Sequence, residues 1–194
     1  MGSAEARLTL ASTSPQRRAI LDQLRIPFGV AAPDYVEDDP PDADPDELVR
    51  RHAEGKARSV HTAGCLTLGV DTTVVLDGRV YAKAAGRDEA RRMLRALSGR
   101  THTVVSGICL LGPEVEVVEV ASTDVTFRPL SPELIEAYVE SGEWEGRAGA
   151  YAIQGLGGRL VERIHGDYLN VVGLPGALLL SLLGRHAPAL LRLH

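Results

Sequence analysis

Two long β-branched runs, Val104 to Leu111 and Val115 to Phe127, flank the three residues Gly112-Pro113-Glu114. So short a connection folds them back on each other, which predicts an antiparallel pair at the centre of a sheet. A third apolar run, Cys65 to Leu76, ends at Asp77-Gly78, a tight hairpin turn into Arg79 to Tyr81. Helical periodicity surrounds this β core. Ile20, Leu21 and Leu24 share one face of Pro15 to Leu24, and Ala90, Met93, Leu94 and Leu97 share one face of Arg87 to Leu97. Asp44 before Pro45 is suited to cap a helix running to about Thr62, with Asp46 and Glu47 at its positive end. Ser131-Pro132-Glu133 opens another helix, ending near Gly142, and Leu174 to Leu183 forms an apolar one. Arg7 to Ala11, Ile26 to Ala31 and Leu160 to Ile164 are short strands. Helices and strands interleave around the antiparallel pair, so the expected fold is α/β, with a mixed, strongly twisted sheet flanked by helices. There is no internal repeat and no convincing linker, and residues 1–194 are expected to form a single domain.

Composition narrows the function classes. The chain of 194 residues is 44% hydrophobic, enough to bury a core and too apolar for disorder. A formal net charge of −5 argues against broad electrostatic capture of nucleic acid, and two Phe and one Trp offer little stacking surface. Cys65 and Cys109 lie far apart in apolar runs, as small core residues do, with no CxxC pairing. No apolar stretch approaches the ~20 residues that span a bilayer. Met1 to Ala6 has no secretory apolar region, and Ala6 stands where a myristoylation signal has Ser or Thr. The expectation is a cytoplasmic protein without a nucleic-acid or membrane partner.

Several stretches carry chemistry. In Ser12-Thr13-Ser14-Pro15-Gln16-Arg17-Arg18, Ser14 suits an N-cap and Pro15 the first helical position. Two arginines in a first turn oppose the helix dipole unless an anion is present, so a phosphate site is the sharper reading beside the plain cap. Asp71 interrupts an apolar run, where a carboxylate must be solvated, paired or bound to metal. It suits a metal ligand or a proton acceptor, and equally a strand-end residue bonded to a turn. Lys56 and Lys83 are unremarkable in isolation. Glu37, beside Val36 in the acidic run Asp34 to Asp42, suits a metal site or simple solvation. The glycine-rich stretch Ala148 to Gly158 gives backbone freedom for a close ligand. It is no dinucleotide fingerprint, because Leu160 stands where GxGxxG from Gly155 needs its last glycine. GxxxxGK[ST] and HExxH are also absent, which disfavours a Walker-type NTPase and a His-based zinc site.

Taken together, the ordered pieces resemble the Maf family of nucleoside triphosphate pyrophosphatases, also called septum-formation inhibitors. The resemblance runs through Leu10-Ala11-Ser12-x-Ser14-Pro15-x-Arg17, Val36-Glu37, Lys56-Ala57, Gly69-x-Asp71-Thr72, Lys83 and Leu97-Ser98-Gly99-Arg100-Thr101-His102. It continues through Val125-Thr126-Phe127, Ala148-Gly149-Ala150-Tyr151-x-Ile153-Gln154-Gly155 and Asn170-Val171-Val172-Gly173-Leu174-Pro175. It implies an inosine-triphosphatase-like fold with a cleft between two lobes. The implied reaction is hydrolysis between the α and β phosphates with a divalent metal, Mg²⁺ or Mn²⁺. The form around Gln154 is similar to the subgroup acting on dTTP and UTP, whose specificity positions match Gln16, Thr72 and Gln154. Gln16 stands where the family has Arg after Ser-Pro, Ala84 follows Lys83 in place of Pro, and Arg147 replaces a Lys. The change at Gln16 bears on base preference, while Arg147 keeps its charge.

The resemblance assigns roles. Ser12, Ser14 and Arg17 hold the triphosphate, while Lys56 and Lys83 neutralise developing charge. Glu37 and Asp71 position the metal, and Asp71 accepts a proton from the attacking water. Gln154 and Thr72 read the base. The rival readings are a non-catalytic nucleotide-binding regulator of cell division and a pyrophosphatase preferring CTP or a modified guanine nucleotide. The exposed hairpin and long strands are suited to a homodimer.

Overall fold

In the computed structural model, residues 8–38, 40 and 43–192 are described. The readings at Met1 to Arg7, and at Asp39, Pro41 and Asp42 of the acidic run, lie outside these residues. Seven strands form one mixed sheet: β1 (Leu8–Ala11), β2 (Phe28–Ala31), β3 (Leu66–Leu76), β4 (Arg79–Tyr81), β5 (Thr101–Gly112), β6 (Val115–Phe127) and β7 (Val161–His165). Their order is β2-β1-β3-β5-β6-β7, with β4 added to β3. β2, β1 and β3 run parallel, and β3, β5, β6 and β7 run antiparallel.

The edge of β3 away from β5 explains how a cleft arises. β1 pairs with its first part, ending at Ala11↔Gly69, and β4 pairs with its last part from Val74↔Tyr81. Residues 70–73 lie between the two partners, where β1 turns away. The apolar residues divide at the same level. Leu8, Leu10, Ile20, Leu21, Leu68, Val70, Leu179 and Leu182 pack on one side. Val74, Leu94, Leu97, Val104, Phe127, Tyr138 and Leu160 pack on the other. Each fully buried leucine contributes roughly 1.5–3 kcal/mol, and the two cores meet at β3 and β5.

Among the described residues, six helices flank the sheet: α1 (Pro15–Gln23), α2 (Pro45–Val60), α3 (Arg87–Leu97), α4 (Pro132–Ser141), α5 (Tyr168–Val172) and α6 (Gly176–His186). The capping expected from sequence is present. The Ser14 side chain accepts from the Arg17 amide, Asp44 from Glu47 and Ser131 from Leu134. α2 lies very close to β3 and β5. A Cβ on Gly69 would come within 2.0 Å of the Ala53 carbonyl oxygen, and one on Gly107 within 2.3 Å of that of Val49. These two glycines let the helix backbone rest on the strands, sealed by Ala53, Ala57, Cys109 and Leu111.

Several boundaries differ from expectation for local reasons. β5 starts at Thr101, three residues early, because polar residues pair with the end of β6 as far as Thr101↔Thr126. Asp71 is no strand-end residue: it lies within β3, paired opposite Gly107. β2 starts at Phe28, after Ile26 has turned into the core. Cys65 is half-buried in the turn before β3, whereas Cys109 is fully buried. The last long helix begins at Gly176, after buried Leu174 and capping Pro175. α5 has no counterpart in the sequence pattern because five residues carry no helical period. Asp167 anchors it, accepting from the Leu169 amide at 2.8 Å through Oδ1 and from the Ala177 amide at 3.0 Å through Oδ2. One carboxylate thus ties the starts of two successive helices together.

Candidate active site

The opening beside residues 70–73 widens into a cleft of about 820 Å³. Ser12, Ser14, Gln16, Arg17, Glu37, Lys56, Asp71, Thr72, Lys83 and Gln154 all line it. They come from three separate regions, and each region has its own electrostatic character.

The first wall is the turn from β1 into α1. Ser12 Oγ accepts from the Ser14 amide at 3.2 Å and from Arg17 Nη1 at 3.3 Å. Ser14 Oγ accepts from the Arg17 amide at 3.4 Å and donates to Gln16 Oε1 at 3.2 Å. The Arg17 guanidinium then reaches across the gap in the sheet. Nη1 donates to the Val70 carbonyl at 2.8 Å, Nε to that of Gly173 at 2.9 Å and Nη2 to Thr72 Oγ1 at 3.3 Å. The Thr72 hydroxyl also shares a hydrogen bond with Ser106 Oγ at 2.8 Å. Arg17 is thus a strut between α1, β3 and the end of α5, its hydrogen bonds all made to neutral oxygens, with Asp71 and Glu37 as its nearby counter-charges. Burial lowers its pKa against the opposing pull of Asp71 and Glu37, but a guanidinium stays protonated. Arg18, its neighbour, is exposed.

The second wall is built by α2 against β3. Lys56 Nζ lies 2.5 Å from Asp71 Oδ1 and 2.5 Å from Glu37 Oε1, nearly buried between the two carboxylates. His52, one helical turn before Lys56, places Nδ1 3.6 Å from Asp71 Oδ2, and its Nε2 lies 3.2 Å from the Asp38 carbonyl oxygen. Burial alone would raise the Asp71 pKa. The close approach of His52, the charge and hydrogen bond of Lys56 and the charge of Arg17 overcome this and hold it far below the usual carboxylate range. Desolvation opposes ionisation of Glu37 too, and Lys56 and Lys83 outweigh it, leaving its pKa lowered.

The third region is the glycine-rich lip. Lys83 bridges to Ala148, and its exposed Nζ lies 3.6 Å from Glu37 Oε2. Gln154 is exposed at the start of a 3-10 turn, Gly155–Arg159. Tyr151 lines the cleft from below, with its hydroxyl 2.8 Å from His102 Nε2 and its ring edge-on to Phe127. Burial pushes the His102 pKa down to about 4, so this support is neutral near pH 7.

Glu37, His52 and Asp71 can each offer one ligand atom, and those atoms lie within 4.8 Å of one another. Two carboxylate oxygens and an imidazole suit a divalent cation of the hard or borderline kind. The donor set therefore fits a metal, with Lys56 beside it as the competing cation.

A family model described as Maf-like protein matches residues 7–186. The chain belongs to the Maf-like family. Curated relatives include a dTTP/UTP pyrophosphatase from Symbiobacterium thermophilum, 50% identical over 171 residues, which are 87% of this chain and 88% of that protein. Another from Nitratidesulfovibrio vulgaris is 47% identical over 180 residues, covering 91% of this chain and 86% of the relative. Among solved structures, a HAM1 protein from Coxiella burnetii overlaps partially, with 18% identity over 63% of this chain and 73% of that one, at a TM-score of 0.45.

Within this Maf-like chain, sequence reasoning missed His52. Its one available signal was the four-residue spacing to Lys56, which puts both on the same side of a helix. Ser106 and the Gly173 carbonyl were also missed, since only tertiary folding brings them to Thr72 and Arg17. Among the described residues, no helix is long and apolar enough to cross a membrane.

Proposed function

We propose that this chain is a cytoplasmic nucleoside triphosphate pyrophosphatase, one domain over its length, hydrolysing dTTP and UTP to the monophosphate and pyrophosphate. The observation that carries the reading is the pair of buried Asp71 and Lys56, joined by the more exposed Glu37 and by Arg17, in a nucleotide-sized cleft. The choice of thymine and uracil nucleotides is supported by the relatives named dTTP/UTP pyrophosphatase. Gln154 on the lip offers an amide able to pair with the donor and acceptor edge of a pyrimidine.

Glu37, His52 and Asp71 would hold Mg²⁺ or Mn²⁺, which supplies charge neutralisation to the phosphate oxygens. Arg17 and Ser12 fix the α1 turn, so that its groups meet the triphosphate without reorganising. Lys83 is free to swing to the phosphates from its exposed position. Asp71 is ionised at any working pH, and it orients the water and takes its proton. Lys56, 2.5 Å from Asp71, keeps that carboxylate ionised and adds positive charge beside the reacting phosphates. A water-oxygen bond forms to the α-phosphorus, the bond to the bridging α–β oxygen breaks, and pyrophosphate leaves.

Pyrophosphate release from dTTP, UTP, CTP and GTP, with and without divalent metal, tests the reading. Metal-dependent release from dTTP and UTP is expected. Binding without release would point to a nucleotide-binding regulator, and preference for CTP or GTP would overturn the base assignment.

A further inference from the structure

Glu37 is the one member of the ligand group that comes from no helix or strand. It sits on the strap of residues 32–38 between β2 and α2, and its carboxylate is useful only if that strap is held. Two contacts pin its far end. The Asp38 carbonyl accepts from Arg51 Nη2 at 2.5 Å and lies 3.2 Å from His52 Nε2. The third contact is of a different kind. Tyr35 lays its ring directly on the backbone of α2 at Gly55, so closely that a Cβ there would lie 2.2 Å from Cε2 and 2.6 Å from Cδ2 and Cζ. The same ring stands edge-on to His52, with centroids 5.7 Å apart and planes at 64°.

Gly55 lies within α2 and has no positive φ, so the backbone conformation does not call for glycine. A glycine inside a helix is less stable there than alanine, since it loses more freedom on folding and buries less surface. The space over Gly55 is filled by the tyrosine ring. Gly55 is three residues after His52, its neighbour on the surface of α2, and the Tyr35 ring meets both.

We propose that Gly55 and Tyr35 form a positioning pair, a notch and a ring, that holds the strap so that the Glu37 carboxylate stays beside Asp71 and His52. Neither residue touches substrate. The pair acts through Glu37, and the inference rests on the metal-binding reading given above. It trades stability of α2 for placement of a metal ligand, so filling the notch has opposite effects on folding and on metal affinity.

The test uses the full chain without nucleotide, with Mn²⁺ alone as the probe. Binding is followed by the loss of the free-ion electron paramagnetic resonance signal, and folding by thermal melting. Gly55→Ala is expected to melt at the same temperature or a few degrees higher, yet to bind Mn²⁺ about tenfold more weakly, as when an outer-shell partner of a metal ligand is lost. Tyr35→Ala should weaken binding by a similar factor, Tyr35→Phe should keep the wild-type affinity, and the double variant Gly55→Ala/Tyr35→Ala should be no weaker than either single one. Unchanged Mn²⁺ affinity in Gly55→Ala and Tyr35→Ala, with the wild type binding normally, would overturn the positioning role alone. A wild-type chain that does not take up Mn²⁺ would overturn the metal reading and this inference with it.

Discussion

The two walls of the cleft hold charge in opposite ways. On the α1 wall, Arg17 is hydrogen-bonded to two carbonyls and two hydroxyls, neutral partners that fix it without cancelling its charge. On the α2 wall, Lys56 is ion-paired at 2.5 Å to two carboxylates, one ammonium against two negative charges. A neutral scaffold around a cation makes a standing site for an anion. An ion-paired cluster holds its charges against one another, and they must be rearranged before they act. On the function proposed above, the α1 wall serves binding and the α2 wall chemistry, and substitutions on the two should fail in different ways.

The largest expected effect is on turnover. Asp71→Asn keeps the shape of the side chain and removes the proposed proton acceptor, which should cost roughly 10²–10⁴-fold in pyrophosphate release with the fold intact. Near-normal turnover would erase the distinction between the walls.

Next is stability. Lys56→Met leaves Glu37 and Asp71 without their shared cation, and breaking a buried pair in this way costs about 3–5 kcal/mol in urea unfolding. Lys83→Met is the control, since its ammonium is 61% exposed and touches Glu37 only at 3.6 Å. It should change stability by less than about 1 kcal/mol while still lowering turnover.

Arg17→Lys probes the other wall. An ammonium keeps the charge but cannot span Val70, Gly173 and Thr72 as the fork does. Losing charge-assisted bonds to buried carbonyls is expected to cost about 2–3 kcal/mol and to raise KM for the nucleotide more than it lowers kcat.

Smaller still is the pH signature of the α2 wall. Asp71 has a folded pKa held below its unfolded value of about 3.9, so the stability it adds is complete above that pH and is lost as pH falls. The gap in unfolding free energy between wild type and Asp71→Asn should be constant above about pH 5 and close as acid is added. A gap that widened in acid would mean that Asp71 is not held ionised by Lys56 and His52.

The walls also differ in how far they can be read from sequence. The α1 wall is local: Ser14, Pro15 and Arg17 sit within four positions, and the cap and first turn follow from their spacing. The α2 wall depends on a helix meeting a strand 15 residues away from Lys56. Asp71 is legible as a carboxylate in an apolar run, but its partner His52 is set by how deeply Gly69 and Gly107 let α2 settle. The strands and long helices were legible because they carry periods. α5 was not, because five residues held by the Asp167 cap have none, yet its end supplies the Gly173 carbonyl that orients Arg17.

The most direct measurement of the central claim is hydrolysis of dTTP in ¹⁸O-labelled water with Mn²⁺ present, with both products examined by mass spectrometry. Water oriented by Asp71 onto the α-phosphorus places the label in the monophosphate and leaves the pyrophosphate unlabelled. Label in the pyrophosphate, or release of orthophosphate and a nucleoside diphosphate instead, would contradict the account.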